Sequence, residues 1–564
     1  MDKIWLKSYP PGVPAEINPD QFASLNELMA WCCARYREHP AFSNQGATIS
    51  WGRLDALSRN FAAYLRHGIG LHPGDRVALM VPNLLQYPVV LFGVLRAGCT
   101  VVNVNPLYTA RELQHQLADC GAVAIVVLDN FAHTFEEVQA STLVRHVVTT
   151  RVGDMLHFPK AQIVNLVVKH VRHMVPEWHI KDAVSLSDAL HRGEALAFDE
   201  VAVDGASTAF LQYTGGTTGV PKGAVLTHRN IIANVEQTSA WVASALDEGR
   251  ELAVIPLPLY HIFALTMTLT LCRLGAHIVL ITNPRDTSAF VKELKHTRFS
   301  VLIGVNTLFN ALLNTPELRQ VDASAVKLVV AGGMALQRSV AERWQQLFGV
   351  AIVEGYGLTE TSPVVCANPP KVDKFTGSIG LPIPSTDVAL LDDFGKEVPA
   401  GDAGEICVRG PQVMPGYWNM PEETAKVFTR DGWLRTGDIG VVDEHGYFRL
   451  IDRKKDVIVV SGFQVFPNEV EDVVAMHPGV FEVAAVRIPD EHSGEAVKIV
   501  VLRRDAGLTA EALIEHCRKN LTGYKVPKEV SFRNEPLPKS PVGKILRRVV
   551  MEEEDKLAAT IAHS

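Results

Sequence analysis

The first four-fifths of this chain alternates short aliphatic runs with apolar stretches of helical length, and that rhythm limits the fold more than any other feature. RVALMVPN (76–83) reads as a buried strand, LLQYPVVLFGVLRAG (84–98) as an apolar helix ended by Gly98, and CTVVNVNP (99–106) as a further strand. Upstream, Leu54, Leu57, Phe61 and Leu65 recur at helical spacing behind a candidate cap, Ser50. VLIGVNTLFNALL (301–313) and VKLVVAGGMAL (326–336) repeat the unit. Strand, helix, strand successions pack helices on largely parallel sheets, so the fold class is α/β. With 564 residues the chain exceeds what one hydrophobic core can serve, and more than one domain is expected.

Near residue 400 the texture changes. GEICVRGPQVMPGYW (404–418) has shorter strands and more glycine, which suggests an antiparallel, β-barrel-like subdomain completing a large multi-sheet N-terminal domain. After LIDRKKD (450–456) a compact α+β segment follows, with the helix-like NEVEDVVAMHPG and the strand-like AVKIVVLRR. The charged run Arg453 to Asp456 reads as an exposed connector. The expected division is therefore 1–451, a hinge at 452–456, and a small mobile C-terminal domain at 457–564.

A hydrophobic content of 47% with 21% charged residues excludes disorder as the main state. The net charge of −8 gives no general attraction to nucleic acid or anionic lipid, although local basic clusters can still hold phosphate. Eight scattered cysteines without a C-x-x-C pair argue for reduced thiols in the cytoplasm and against a zinc site or disulfide scaffold. The start, MDKIWLKSYPPGVP, lacks the apolar core of a secretion signal. Leu252 to Cys272 carries no charge, but Pro256 and Pro258 interrupt it. It reads as a buried strand, a loop and a core helix, so any membrane contact would be peripheral.

YTGGTTGVPKG (213–223) concentrates glycines, threonines and a lysine, a composition suited to phosphate: glycine lets backbone N–H groups approach an anion, and the hydroxyls and Lys222 add donors and charge. It is not the P-loop of NTPases, because Pro221 precedes Lys222 where that motif has glycine and Gly223 follows where it has a hydroxyl. EGYGLTETSP (354–363) sets Tyr356 between glycines, able to stack on a purine, with Thr359 and Glu360 close behind; a lone carboxylate beside a phosphate loop is a natural Mg²⁺ ligand. GWLRTGDIG (432–440) holds Asp438 in a tight turn where a carboxylate can accept ribose hydroxyls. LPKSPVGKILRR (537–548) puts Lys544 in a basic stretch, and PLPLYHIFAL (256–265) places His261 among apolar residues. Taken singly, these read as a surface turn, a helix start, a turn aspartate, a solvated tail and a core histidine.

Taken in order, YTGGTTGVPKG, EGYGLTE, RTGD, DRKKD and PKSPVGK resemble the core motifs of the adenylate-forming superfamily of acyl- and aryl-CoA ligases, luciferases and adenylation domains. DGWLRTGDIGVVDEHGYFRLIDRKKDVIVVSGFQVFPNEVED, NLLQYPVVLFGVLRAG and LPLYHIFALT are most similar to the long-chain-fatty-acid–CoA ligase branch of bacteria. The resemblance implies two αβ-type subdomains and the barrel-like one, then the mobile C-terminal domain. It implies ATP, Mg²⁺ and coenzyme A, with a long-chain fatty acid activated as its acyl-adenylate.

By the same resemblance Tyr213, Thr214, Gly215, Gly216, Thr217, Thr218, Gly219, Val220, Pro221, Lys222 and Gly223 would surround the departing phosphates, and Thr214 and Glu360 would hold Mg²⁺. Gly332, Gly333, Tyr356 and Gly357 would line the adenine pocket, Thr359 would bond the α-phosphate, and Asp438 and Arg453 would hold the ribose. Lys544 would bridge carboxylate and phosphate, Gly462 would pass the pantetheine arm, and His261 would gate fatty acid from thiol. Where some long-chain relatives close the acyl tunnel with a tryptophan after the motif histidine, this chain has Leu265. Peripheral association with the inner membrane is expected and a homodimer is left open. A ligase for medium-chain or aryl acids, one that loads a carrier protein, or a non-catalytic fatty-acid sensor are the alternatives.

Overall fold

The computed structural model describes residues 3–214, 221–490, 492–540 and 543–562. In an eight-stranded sheet, Thr208–Thr214, Thr100–Asn103, Arg76–Met80, Ala124–Leu128, His146–Thr150 and Val184–Ser185 run parallel in that order, with Lys222–Thr227 and Gly416–Tyr417 added antiparallel at one edge. A nine-stranded sheet has a parallel centre built from Leu252–Ile255, His277–Leu280, Val301–Gly304, Leu328–Ala331 and Ile352–Gly357, among others. The central strands are nearly continuous runs of buried Val, Ile, Leu and Ala, as parallel strands covered on both faces must be.

Ser50 caps the helix Trp51–Ala63 by accepting from the Arg53 N–H, and Leu54, Leu57 and Phe61 form its buried stripe. The charge-free stretch resolves into the strand Leu252–Ile255, a loop and the buried helix Ile262–Arg273. Among the described residues no helix is long and apolar enough to cross a membrane.

The glycine-rich stretch after 380 forms a four-stranded antiparallel sheet of Asp387–Leu391, Gly404–Arg409, Leu434–Val442 and Phe448–Arg453. Gly416–Tyr417 leaves that sheet for the eight-stranded one, where the Trp418 N–H donates to the Gly223 carbonyl at 2.7 Å. A fourth group of strands, all after residue 457, forms a separate five-stranded sheet with its own apolar core of Val470, Val483, Ile499 and Leu513 among others.

The link between these parts is less exposed than its charge suggests. Asp452 is fully buried: its carboxylate accepts from the Asn468 N–H at 2.7 Å and from Arg547 at 3.1 Å. Arg547 in turn forms a two-pronged bond to Glu471, at 2.7 and 2.6 Å. Burial raises the Asp452 carboxyl, and the Arg547 charge opposes it. Only Lys454 and Lys455 of the connector reach solvent freely.

All eight cysteines are free and buried, and burial raises each thiol above its ordinary value.

Candidate functional site

One cavity of about 1620 Å³ lies where the edges of the sheets meet the C-terminal part of the chain, and it gathers most of the singled-out residues onto one wall system. Thr214 and Lys222 face each other across the antiparallel pair that flanks the glycine-rich stretch of the sequence, and Tyr213, Pro221 and both of these line the cavity. Gly215, Gly216, Thr217, Thr218, Gly219 and Val220 lie outside the described residues. The Tyr213 hydroxyl is turned to Asp119, and its ring packs so closely that a Cβ on Gly223 would sit 3.1 Å from it.

Lys222 is ion-paired with Glu423 and stands 5.2 Å from the centroid of the Tyr417 ring. The Tyr417 hydroxyl donates to Oε1 of Glu360 at 2.7 Å, and burial with the Glu360 charge pushes that phenol up. The three-residue turn Thr359–Thr361 holds Thr359 and Glu360 at the cavity wall directly beyond the strand Ile352–Gly357. Gly357 must be glycine, because a Cβ there would meet the Pro363 carbonyl oxygen at 1.9 Å.

Tyr356 projects from the same strand. Its hydroxyl donates to Oδ2 of Asp438 at 2.7 Å, while Arg453 Nε stands 3.5 Å from Oδ1. Asp438 and Arg453 are directly paired on neighbouring antiparallel strands, which is why residues 15 apart in sequence share one edge. Gly332 and Gly333 line the adjoining wall. Glu354 lies there too, its carboxyl pushed up to about 8 by burial, and Asp472 across from it is raised to about 7 by burial and by Glu471.

Lys544 reaches this wall from the C-terminal part. Its loop is closed by paired bonds between Ser540 and Lys544, and the Thr307 hydroxyl donates to the Gly543 carbonyl at 3.1 Å. A Cβ on Gly543 would lie 2.6 Å from that hydroxyl, so the close approach needs glycine. Burial pushes the Lys544 amine down to about 8, with Arg453 adding to the shift and Asp438 opposing it.

His261 caps the helix Ile262–Arg273, its Nδ1 accepting from the Phe263 N–H, and it lines the cavity. Burial, with Lys544 nearby, holds its imidazole down at about 4, so it is neutral at ordinary pH. Leu265 does not face the cavity: it is fully buried in the core, whereas Phe263 and Met267 of the same helix form the wall. From there an apolar arm continues between Trp241, Val242, Met267, Val330 and Ile383. Gly462 lies apart from the site, on the outer surface with a left-handed φ of 84°.

The reading of motifs missed Tyr417, Glu423, Trp241, Asp472 and Arg547. Each acts on a residue far away in sequence, as Tyr417 on Glu360 across 57 positions, and none has a local signature. The hardest to foresee, Trp241, is one aromatic in an otherwise ordinary helix.

The site joins the paired strand ends Thr214 and Lys222, a carboxylate with a hydroxyl beside it, an aromatic ring with an acidic partner, a buried lysine and an apolar arm. Such a site can bind a nucleotide and an apolar acid head to head. The sequence pattern of the family described as AMP-binding enzyme matches residues 29–418, and that of the AMP-binding enzyme C-terminal domain matches 469–544. The chain is 56% identical over 563 residues to a long-chain-fatty-acid–CoA ligase of Yersinia pestis, covering 100% of both chains. It is 57% identical over 554 residues to one of Salmonella typhimurium, covering 98% of each. Among solved structures it is similar to ATP-bound MatB from Rhodopseudomonas palustris, with a TM-score of 0.81, 28% identity, and coverage of 94% and 98%.

Proposed function

The chain belongs to the AMP-binding enzyme family, and from that premise we propose that it joins a long-chain fatty acid to coenzyme A through an acyl-adenylate, consuming ATP and releasing AMP and pyrophosphate. The observation that carries the reading is the single cavity in which Thr214, Lys222, Tyr356, Glu360, Asp438 and Lys544 meet the apolar arm past Trp241 and Met267.

In the first half-reaction a fatty carboxylate oxygen attacks the α-phosphorus of ATP and the bond to pyrophosphate breaks. Two anions must approach, so fixed positive charge is the main requirement. Lys544 spans carboxylate and α-phosphate, Lys222 faces the leaving phosphates, and Thr359 bonds the α-phosphate. Tyr356 with Gly332, Gly333 and Gly357 bounds the adenine, while Asp438 and Arg453 take the ribose hydroxyls.

Thr214 and Glu360 fit a Mg²⁺ ion. Both present hard oxygen donors to the cavity, and Glu360 is oriented by the Tyr417 hydroxyl. Among the described residues no group of three His, Cys, Asp or Glu side chains is placed to hold a metal alone, so the ion would arrive with the triphosphate. When bound, the ion would supply positive charge against the triphosphate.

In the second half-reaction the coenzyme A sulfur attacks the acyl carbonyl carbon and the bond to AMP breaks. The neutral His261 lines the same cavity beside Phe263, where it would separate fatty acid from thiol without pairing with the carboxylate. Lys544 occupies the cavity while Gly462 faces outward, an arrangement that suits adenylation. Residues 1–451 and 457–564 form two domains, and rotation of the second about the 452–456 hinge at Lys455 exchanges Lys544 for Gly462 before thioester formation. The enzyme works in the cytoplasm, with reversible association to the inner membrane face where its apolar substrate dissolves.

The test is pyrophosphate release from ATP with oleate, octanoate or benzoate, each with and without coenzyme A. Oleate should give both pyrophosphate and a thioester. Preference for benzoate would move the substrate to aryl acids, and no release with any acid would leave a binding protein.

A further inference from the structure

The peripheral association proposed above does not say which surface meets the lipid, and resting on that reading, the geometry points to the helical segment 158–174 as the face that docks on an anionic bilayer. Its two consecutive helical pieces, Lys160–Leu166 and Val167–Val171, contain no buried residue. Five large apolar side chains there stand in solvent: Phe158 is 83% exposed, Val171 64%, Leu166 58%, Ile163 57% and Met174 53%. No other stretch of the described residues gathers so many exposed apolar side chains so closely. A solvated apolar run of this kind is unfavourable unless something covers it.

The segment is amphipathic in an unusual sense. Ala161 and Val164 pack against the protein core, and Asn165 fixes the helix from below, accepting from the Gly153 N–H at 2.8 Å and donating to Asp154 at 3.0 Å. Ile163 and Leu166, one turn apart, therefore share the opposite face. Lys160 is anchored to the Gln45 carbonyl at 2.5 Å, so the helix is held in place before any partner arrives.

Charge selects the partner. No acidic residue occurs from Met155 to Pro176, although the whole chain carries a net charge of −8. The same stretch holds Lys160, Lys169 and Arg172, and Lys169 and Arg172 are exposed beside the apolar face. Apolar chains at the centre with cations at the flanks match a lipid headgroup layer, in which the chains enter the acyl boundary and the cations meet phosphate. The consequence is that the enzyme meets its substrate in the phase where the substrate dissolves.

The full-length protein is to be sedimented with vesicles of phosphatidylethanolamine and phosphatidylglycerol, and with vesicles of phosphatidylcholine alone. The wild type should bind the anionic vesicles more tightly, by about thirtyfold or more, as expected for two or three basic side chains near an anionic surface. Ile163→Asn/Leu166→Asn should weaken binding to both about tenfold, from the lost apolar burial. Lys169→Gln/Arg172→Gln should remove the preference for the anionic vesicles and leave the rest. All four positions are exposed, so octanoate adenylation in buffer and the circular dichroism spectrum should stay at wild-type values. If the wild type ignores both vesicles, peripheral association itself fails. If it binds and both double variants bind equally well, only the assignment of this segment fails. A wild-type dimer that Ile163→Asn/Leu166→Asn converts to a monomer in light scattering would show a second copy on this face and overturn the lipid assignment.

Discussion

The hydroxyl of Tyr356 donates a 2.7 Å hydrogen bond to Asp438, joining the last central strand of the nine-stranded sheet to the four-stranded antiparallel sheet. Asp438 is 4% exposed, so its carboxylate is aimed by this bond and by Arg453, with little help from water. Tyr356→Phe keeps the ring and removes the aim. A bond to a charged acceptor contributes about 1.5 kcal/mol or more, so KM for ATP should rise about tenfold with kcat changed less. Steady-state kinetics at saturating oleate measures it; an unchanged KM would mean that the ribose does not depend on this carboxylate.

Glu360→Gln keeps the bond from Tyr417 while removing the charge. Adenylation should fall by about two orders of magnitude or more, because metal neutralisation of phosphate charge contributes several kcal/mol. Tyr417→Phe should lose far less, about fivefold, because a carboxylate that has lost one neutral donor is still charged. ATP–pyrophosphate exchange as a function of Mg²⁺ concentration distinguishes the two, and equal losses would place Glu360 outside the metal site.

Lys544 carries a pH prediction whose sign is fixed by its burial. The amine is held down at about 8, so its positive charge is present below that pH and is lost as pH rises through it. For adenylation, kcat/KM should fall above about pH 8, and in Lys544→Arg the basic limb should vanish because guanidinium does not titrate there. Lys544→Ala should abolish acyl-adenylate formation yet convert supplied acyl-adenylate to thioester. Lys455→Pro, which stiffens the connector, should do the reverse and accumulate acyl-adenylate. Single-turnover measurement of each half-reaction checks both variants; equal loss in the two steps for Lys544→Ala would favour one fixed conformation.

Arg547→Met removes the partner of three carboxylates at once, Asp452, Asp456 and Glu471. Asp452 is fully buried and Glu471 partly so, and stripping the cation from the buried Asp452 costs about 3 kcal/mol or more. Urea unfolding should move to a lower midpoint, and a double Arg547→Met/Glu471→Met variant should recover part of the loss. A midpoint unchanged in the single variant would remove this network from the stability of the connector.

The parallel strands were legible because covered strands must be runs of Val, Ile and Leu, and the helix after Ser50 because its cap and stripe are local. The site was legible where a motif is continuous, as in EGYGLTE. It was not legible at Tyr417 or Arg547, whose partners meet them only through strand order and domain placement. The burial of Asp452 beside the connector Arg453 to Asp456 was not legible either: it is held by Arg547 and Asn468, and a run of charged letters cannot announce its partners. The exposed face of 163 and 166 was hidden for the converse reason. An apolar helix reads as core, and only the fold shows that nothing lies above it.

The eight buried thiols have a bearing on the product. An acyl-CoA thioester exchanges its acyl group with any accessible thiolate, and an enzyme that generates such thioesters at every turnover risks acylating its own cysteines. Here no cysteine lines the cavity, and burial keeps each sulfur protonated. The protein is thereby a poor acceptor for its own acyl groups, and the acyl chain leaves on coenzyme A.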